Sequence, residues 1–490
     1  MDLKDLLSKV IEYALVHHLI EVEQKAQTEM NLGKIFLIHN FTATNTQFHI
    51  DYTQMMEQLL EIANDKGLYT PNTIDERDAF EAKIMDAVMP SPKAVKANFQ
   101  QLYLIDPSLA TDYLYRLSSD VNYIKKIRLR ENISWVYSGK YGNLQMTINL
   151  AKPEKDPKEI AMAINKPVQR GLKIPKCVLC KENEQNYHNA RMNLRIVPIT
   201  LGHELWHLQY SPYQYYNEHA IILHDLHRPM KICDKSFEYL FDFVDMFPTY
   251  FIGSNADLPI VGGSILNHDH FQAGKHIFPI EETSVIKTFL WHDSVTIEHL
   301  YWPLSTIRLS SSSRLDLTIL ASHILKNWKA YNCLELDILS CTNDTSHNTI
   351  TPILRKQYDV YTLYIVLRNN RTNEKYPDGI FHPHQDVHHI KKENIGLIEA
   401  MGLAILPGRL KKELELIKSF LQKDISLPED LIKHESWLNE LQLCNTITDE
   451  FMYEQVGKKF ERVIEDSGVF KLNDIGNRKI HEWIEEIIKS

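Results

Sequence analysis

The sequence predicts an α+β protein in which helical ends frame a middle of mixed strands and helices, and three observations carry that expectation. Residues 1 to about 130 contain few glycines and repeat their apolar residues at helical spacing. From Trp135 the chain alternates apolar and polar residues as strands do. Two later stretches then run through one order of elements (helix, strand, turn, His-x-His), as two diverged copies of a unit would. The chain has 490 residues, 44% hydrophobic and 24% charged, which is globular composition at a length suited to two or three domains.

At the N-terminus Leu3, Leu6, Leu7, Val10 and Ile11 mark one face of an amphipathic surface helix. Asp106-Pro107-Ser108 reads as a helix start, because proline's fixed φ suits the first helical position and no N–H is needed there. Trp135 to Ser138, a turn at Gly139 to Asn143, and Leu144 to Leu150 read as a β-hairpin. A Lys- and Pro-rich connector follows at Lys152 to Pro157. The first copy of the unit has a helix capped by Ser236, with apolar positions Phe237, Leu240, Phe241, Val244 and Phe247, ended by Pro248. The strand Tyr250-Phe251-Ile252 and a glycine-rich loop lead on to His268-Asp269-His270-Phe271-Gln272. The second copy has a helix from about Ser313 to Trp328 and a strand from Tyr361 to Leu367. The turn Tyr376-Pro377-Asp378-Gly379 then precedes His382-Pro383-His384-Gln385. After Arg409 the charged helical texture returns.

With 54 basic and 64 acidic side chains the formal net charge is −10. That balance argues against a nucleic-acid coat or a binder of anionic membranes. Early acids and the lack of a basic region before an apolar run argue against a targeting segment. The most aromatic stretch, Phe237 to Ile252, is broken by Asp242, Asp245 and Pro248 and cannot span a bilayer. Six cysteines with one close pair fit a reducing compartment. The expectation is a soluble cytoplasmic protein with no nucleic-acid or membrane partner.

Chemistry-bearing residues concentrate in the first copy. His-x-His alone says little among 23 histidines, but a glutamine two residues further on is uncommon by chance. In a strand His268, His270 and Gln272 share one face. Gly253-Ser254-Asn255 and Gly262-Gly263-Ser264 precede them; glycines let backbone amides approach an anion, and serine and asparagine add neutral donors. Two imidazoles and an amide beside such a loop suit phosphorus chemistry: one attacks, one binds metal, one donates to a phosphoryl oxygen. A buried strand that merely carries polar residues is the plainer alternative. Cys177-Val178-Leu179-Cys180 supplies two thiolates of a tetrahedral zinc site, and His219, His224, His227 and His268 are at hand for the rest. A redox pair lacks the surrounding βαβ pattern, and two separate core thiols are the plain reading. His203-Glu204-Leu205-Trp206-His207 matches H-E-x-x-H, yet Gly202 and Pro212 leave little room for the helix a metalloprotease needs. His382-Pro383-His384-Gln385, with His388 and His389 behind it, is either a second metal or phosphate site or a copy kept for packing. No G-x-x-x-x-G-K-[ST] phosphate loop occurs.

Cys-x-x-Cys, then Gln209-Tyr210-Ser211-Pro212-Tyr213 with Tyr215-Tyr216-Asn217-Glu218-His219, then Gly253 to Ser264 and His-Asp-His-Phe-Gln-Ala-Gly together resemble the second bacterial class of galactose-1-phosphate uridylyltransferases, a branch of the histidine-triad superfamily. The resemblance is strongest from Cys177 to Gly274 and from Tyr361 to Arg409. It implies two histidine-triad-like halves with antiparallel sheets, at 131–300 and 301–430, between a helical region at 1–130 and C-terminal helices at 431–490. It implies a ping-pong exchange in galactose catabolism. UDP-glucose gives its uridylyl group to a histidine and releases glucose 1-phosphate; galactose 1-phosphate then carries the group away as UDP-galactose. Carried over by motif, His270 is the nucleophile and Gln272 the donor to the phosphoryl oxygen. Cys177, Cys180 and His268 are zinc ligands, with His227, just after a strand at Ala220 to Leu223, as the fourth. Asn255, Gly263 and Ser264 hold the phosphates. Asp269 and Phe271 stand where the better-known class has proline and glycine. Arginines expected near the nucleotide find no match, and Lys152 and Lys155 are the substitutes. The resemblance further implies a homodimer with residues of both subunits near one site, a structural zinc and no redox cofactor. The alternatives are another nucleotidyl transfer on this scaffold, such as dinucleoside polyphosphate phosphorolysis, and a non-catalytic nucleotide-binding protein.

Overall fold

The computed structural model describes residues 2–44, 51–151, 175–187, 190–263, 265–423, 427–442 and 447–489. The N-terminal region folds as α1 (Leu3–Val16), α2 (Lys25–Phe36), α3 (Tyr52–Asp65), α4 (Ile74–Asp86), α5 (Pro92–Ile105), α6 (Pro107–Asp120) and α7 (Lys126–Leu129). The apolar stripe of α1 is buried, and Asp106 caps α6 by accepting from the Ser108 N–H, with Pro107 at the first helical position. Strands β1 (Ile133–Gly139) and β2 (Gly142–Asn149) form the expected hairpin.

Ten strands build one antiparallel sheet: β3 (Val197–Leu201), β4 (Glu204–Tyr210), β5 (Ala220–His224), β6 (Phe251–Gly253), β7 (His270–Gly274), β8 (Val285–Trp291), β9 (Val295–Leu300), β10 (Thr306–Ser311), β13 (Asn348–Gln357) and β14 (Val360–Asn369). Strands β11 (Cys341–Thr342) and β12 (Thr345–Ser346) pair apart from it, and β15 (Leu403–Pro407) joins β2 in parallel. The order across the large sheet is β3-β4-β5-β7-β6-β13-β14-β10-β9-β8. Read inward from either edge it is first, second, third, fifth, fourth. A helix joins third to fourth in each half, α8 (Asp234–Met246) and α9 (Arg314–Ala330). The halves meet where Phe251, Ile252 and Gly253 lie opposite Arg355, Leu354 and Ile353. Two copies of one unit therefore share a single sheet.

Three expectations change here. The second set of strands begins at Val285, so residues 285–300 go with the second half of the sheet rather than with 131–300. The cap of α8 is Cys233, and Ser236 accepts from the Cys233 N–H (3.1 Å) one turn in. The two His-x-His triplets also occupy unlike places. In the first half a long loop joins β6 to β7 and the triplet leads into β7, whereas β13 turns tightly into β14 and His382 comes in a loop after that strand. About the central Ile252–Leu354 pair, Gln272 (opposite Gly253) answers to Thr362 (opposite Arg355), so Val360 stands where His270 does.

On one face of the sheet Phe237, Leu240, Phe241 and Val244 of α8 and Leu317, Leu320, Ile324 and Trp328 of α9 bury against Ile222, Phe271, Ala273, Leu363 and Ile365. On the other, Phe251, Ile353, Tyr364 and Val366 pack against Met146, Ile148, Leu403 and Leu406 of the small sheet. The short α10 (Leu397–Ala400) and the C-terminal α11 (Arg409–Lys423), α12 (Glu435–Leu441) and α13 (Asp449–Ser467) close that second core, while α14 (Asp474–Lys489) rests on α9. Among the described residues no helix is long and apolar enough to cross a membrane.

Candidate active site

Strand alternation sends Phe271 and Ala273 into the core and leaves His270 and Gln272 on the opposite face, beside Ile221 of β5. The Phe271 ring lies 5.1 Å from that of Trp206, so core packing fixes the register and with it the aim of the two polar side chains. They line a cavity of about 820 Å³ together with Gln209, Ser211, Tyr213 and Tyr215. His270 is buried, with Nδ1 2.8 Å from the His268 carbonyl oxygen. A ring nitrogen meets a carbonyl only as donor, so the proton sits on Nδ1 and the lone pair on Nε2. Burial pushes the His270 pKa down to about 4, which keeps the ring neutral near pH 7.

Cys177, Cys180, His227 and His268 converge, one ligand atom of each within 4.8 Å of the others. The two sulfurs are 3.6 Å apart, and Cys177 Sγ to His268 Nδ1 and Cys180 Sγ to His227 Nδ1 are each 3.2 Å. Zinc bonds of about 2.3 Å to sulfur and about 2.1 Å to nitrogen set tetrahedral neighbours about 3.5–3.8 Å apart, so this donor set fits the ion with small shifts. His268 Nε2 donates to the His224 carbonyl oxygen (2.9 Å), which frees Nδ1 as the ligand atom. Asn183 closes the cysteine turn by donating to the carbonyls of Cys177 and Cys180 (2.8 and 2.9 Å). His268 sits in the bend before β7. The expected shared face therefore holds only for His270 and Gln272; His268 turns to the cysteines.

Asn255 is buried on the cavity wall, where its Oδ1 accepts from the Leu397 N–H (2.8 Å) and its NH2 stays available to donate. A Cβ at Gly263 would stand 2.5 Å from Asn255 Nδ2, so only glycine permits that approach. Ser264, Lys152 and Lys155 lie outside the described residues. Three cations line the cavity that no motif pointed to: Arg191, Lys391 and Arg409. Lys391 pairs with Glu399 (3.1 Å) and Arg409 with Glu413 (2.7 Å). Arg191 meets no carboxylate among the described residues and donates to Tyr123 Oη. The segment Gln209 to His219, part of the family resemblance, does supply much of the wall, so that run was a usable signal.

The second His-x-His builds no metal cluster among the described residues. His382 Nε2 lies 3.3 Å from Asn394 Oδ1, and Asn394 donates to the carbonyl of Gly262 in the first half's loop (3.3 Å). His384 stacks on Tyr376 with ring centroids 4.2 Å apart, and its N–H donates to Asp466 of α13 (3.2 Å). The H-E-x-x-H match lies on a hairpin: His203 sits in the β3–β4 turn with φ 61°, and Glu204 and His207 are on β4. Glu204 pairs with Arg228 (2.7 Å) and Lys235 (3.0 Å), and His207 with Asp225 (2.7 Å). The matched residues therefore lie on no helix.

Residues 29–229 match the family model described as galactose-1-phosphate uridyl transferase, N-terminal domain, and residues 243–435 match its C-terminal domain. A galactose-1-phosphate uridylyltransferase of Clostridium acetobutylicum is 46% identical over 493 residues, covering 98% of each chain. One of Bacillus subtilis is 41% identical over 507 residues, 99% of this chain and 98% of that one. Among solved structures, a yeast Ap4A phosphorylase aligns with a TM-score of 0.34 and 11% identity over 71% of this chain and 93% of that one.

Proposed function

Because the chain belongs to the galactose-1-phosphate uridylyltransferase family and is a nucleotidyltransferase, we propose that it moves the uridylyl group from UDP-glucose to galactose 1-phosphate through a covalent intermediate on His270. The observation that carries this reading is the single hydrogen bond from His270 Nδ1 to the His268 carbonyl, which leaves Nε2 as a neutral nucleophile in the cavity. Its lone pair forms a bond to the α-phosphorus while the bond to the leaving phosphate oxygen breaks. Glucose 1-phosphate departs as an anion and needs no proton from the protein. Positive charge that develops on the ring is met by the His268 carbonyl at Nδ1. The phosphoramidate is then attacked by a phosphate oxygen of galactose 1-phosphate, giving UDP-galactose and the free imidazole.

Gln272 and Asn255 supply neutral amide donors to phosphoryl oxygens, and Gly263 keeps the backbone close. Arg191 is the cation whose charge no carboxylate offsets among the described residues, so it takes the role that the sequence assigned to Lys152 and Lys155. Ser264 belongs to the same loop by sequence. Cys177, Cys180, His227 and His268 would hold zinc in a closed site, where the ion would anchor the segment that carries the orienting carbonyl. Thiolate ligands are favoured by a reducing compartment, which supports the cytoplasm, and the proposed substrates support a role in galactose catabolism. A homodimer follows from the family resemblance. Exchange of labelled glucose 1-phosphate into UDP-glucose, with no second sugar present, tests the scheme: a ping-pong enzyme exchanges the label, and a sequential one does not.

A further inference from the structure

The cavity wall carries a second imidazole that the scheme above leaves unused. His219 immediately precedes β5, and the alternation that sets Ile221 opposite Gln272 puts His219 on the same face. Its ring packs on Tyr216 and Tyr215, with ring centroids 4.4 and 5.3 Å away. The residue is only 3% exposed, and neither ring nitrogen makes a well-formed hydrogen bond among the described residues. The Gln272 carboxamide and the Tyr213 main chain stand close enough to act on the ring as weak partners without good hydrogen-bond geometry. Burial pushes its pKa down to about 4, so near pH 7 it offers one N–H and one lone pair. A buried imidazole with neither nitrogen well paired is disfavoured unless a partner turns toward it when the ligand binds.

Phosphoryl oxygens only accept hydrogen bonds, so a substrate seated at His270 draws the NH2 edge of Gln272 toward itself. The amide oxygen then faces back to the wall, where only a donor satisfies it. We propose that His219 is that donor: a positioning residue of the transfer whose N–H holds the Gln272 carboxamide with its NH2 edge on the phosphoryl group. This role rests on the reaction proposed above.

The test uses the full chain and UDP-glucose labelled in the uridylyl phosphate, following the rate of covalent labelling and the affinity for UDP-glucose. His219→Phe keeps the aromatic packing and removes both nitrogens; His219→Asn keeps a side-chain N–H. The phenylalanine protein should label about 10- to 100-fold more slowly, the loss typical of an outer hydrogen-bond partner, with affinity changed less than about threefold. Asparagine should restore most of the rate. In a Gln272→Ala background the same change to phenylalanine should cost less than about threefold, because the amide it holds is gone. A parental labelling rate in His219→Phe, or an undiminished loss in the Gln272→Ala background, overturns the role. If the phenylalanine protein does not fold, His219→Leu is read by the same outcomes. A parent that takes no label overturns the reaction and this role together, whereas a labelled parent with full-rate His219→Phe overturns only the role.

Discussion

At His270 one hydrogen bond, 2.8 Å from Nδ1 to the His268 carbonyl, decides which nitrogen is left to attack. Strand alternation in the sequence sets His268 and His270 on one face and does not anticipate this bond. Of the metal set, the cysteine pair was legible from its spacing, whereas His227 and His268 were singled out from four candidate histidines only through the family resemblance. Arg191, Lys391 and Arg409 were not legible, because they reach the cavity from separate segments and no spacing rule links them. Glu204 shows the opposite failure, a motif match without the helix that gives it meaning. Burial raises its carboxyl, but hydrogen bonds from Lys235 and Arg228 outweigh that and hold it down at about 2, as befits a structural ion pair. Glu204→Gln is therefore expected to keep exchange activity within a few-fold of the parent in steady-state assays. A loss of several orders of magnitude would revive a hydrolytic role for the motif.

Among the elements, the turn from Cys177 to Cys180 and the bend before β7 depend on each other through the four converging ligands. Purified without added metal, the protein is expected to carry about one zinc per chain by elemental analysis, and Cys177→Ser to lose it and unfold at lower temperature. Full metal content in Cys177→Ser contradicts the assignment. Helix α9 was legible from its cap to its end, because Ser313 accepts from the Asp316 N–H and the apolar spacing runs on to Trp328. Trp328 is fully buried, donates Nε1 to the Thr349 carbonyl (2.8 Å) and meets Trp483 of α14 at 5.6 Å between ring centroids. Trp328→Ala should cost about 3–5 kcal/mol, read from the shift in denaturant midpoint, since it opens a cavity and strands a carbonyl. The two His-x-His segments misled for a topological reason. Similar sequence distances cover the loop between β6 and β7 in one half and the loop that follows β14 in the other, and sequence distance alone cannot tell them apart.

For the whole molecule, the repeated strand order says that both halves keep the unit while only the first has His270, the proposed nucleophile, Val360 standing in its place in the second. The hairpin β1–β2, helices α8 and α9 and strands β6 and β14 were legible from periodicity, but the strands from Val285 to Gln357 outside α9 were not. Nor was the fusion of both halves into one sheet through β6 and β13, because pairing between distant strands leaves no local pattern. Burial also sets the acid stability of the protein. It lowers His219, His276 and His299 to about 4 and His389 to about 3. Unfolded histidines take up protons near pH 6.5, so the unfolded chain binds more protons below that value; stability is complete above it and falls as the pH drops toward 4. Asp269, Glu461 and Asp466, raised by burial, act the other way but are fewer. Thermal scans should give a Tm that is level from pH 7 to 8 and declines between about pH 6.5 and 4.5; a rise on acidification contradicts this. The central claim, that transfer runs through Nε2 of His270 in the first half alone, is tested most directly by locating the covalent label. After UDP-glucose labelled in the uridylyl phosphate is added and quenched in base, the account predicts an acid-labile, base-stable label on the peptide that contains His270, and none in His270→Gly. Label on His382 or His384, or undiminished exchange with no label on the chain, would contradict it.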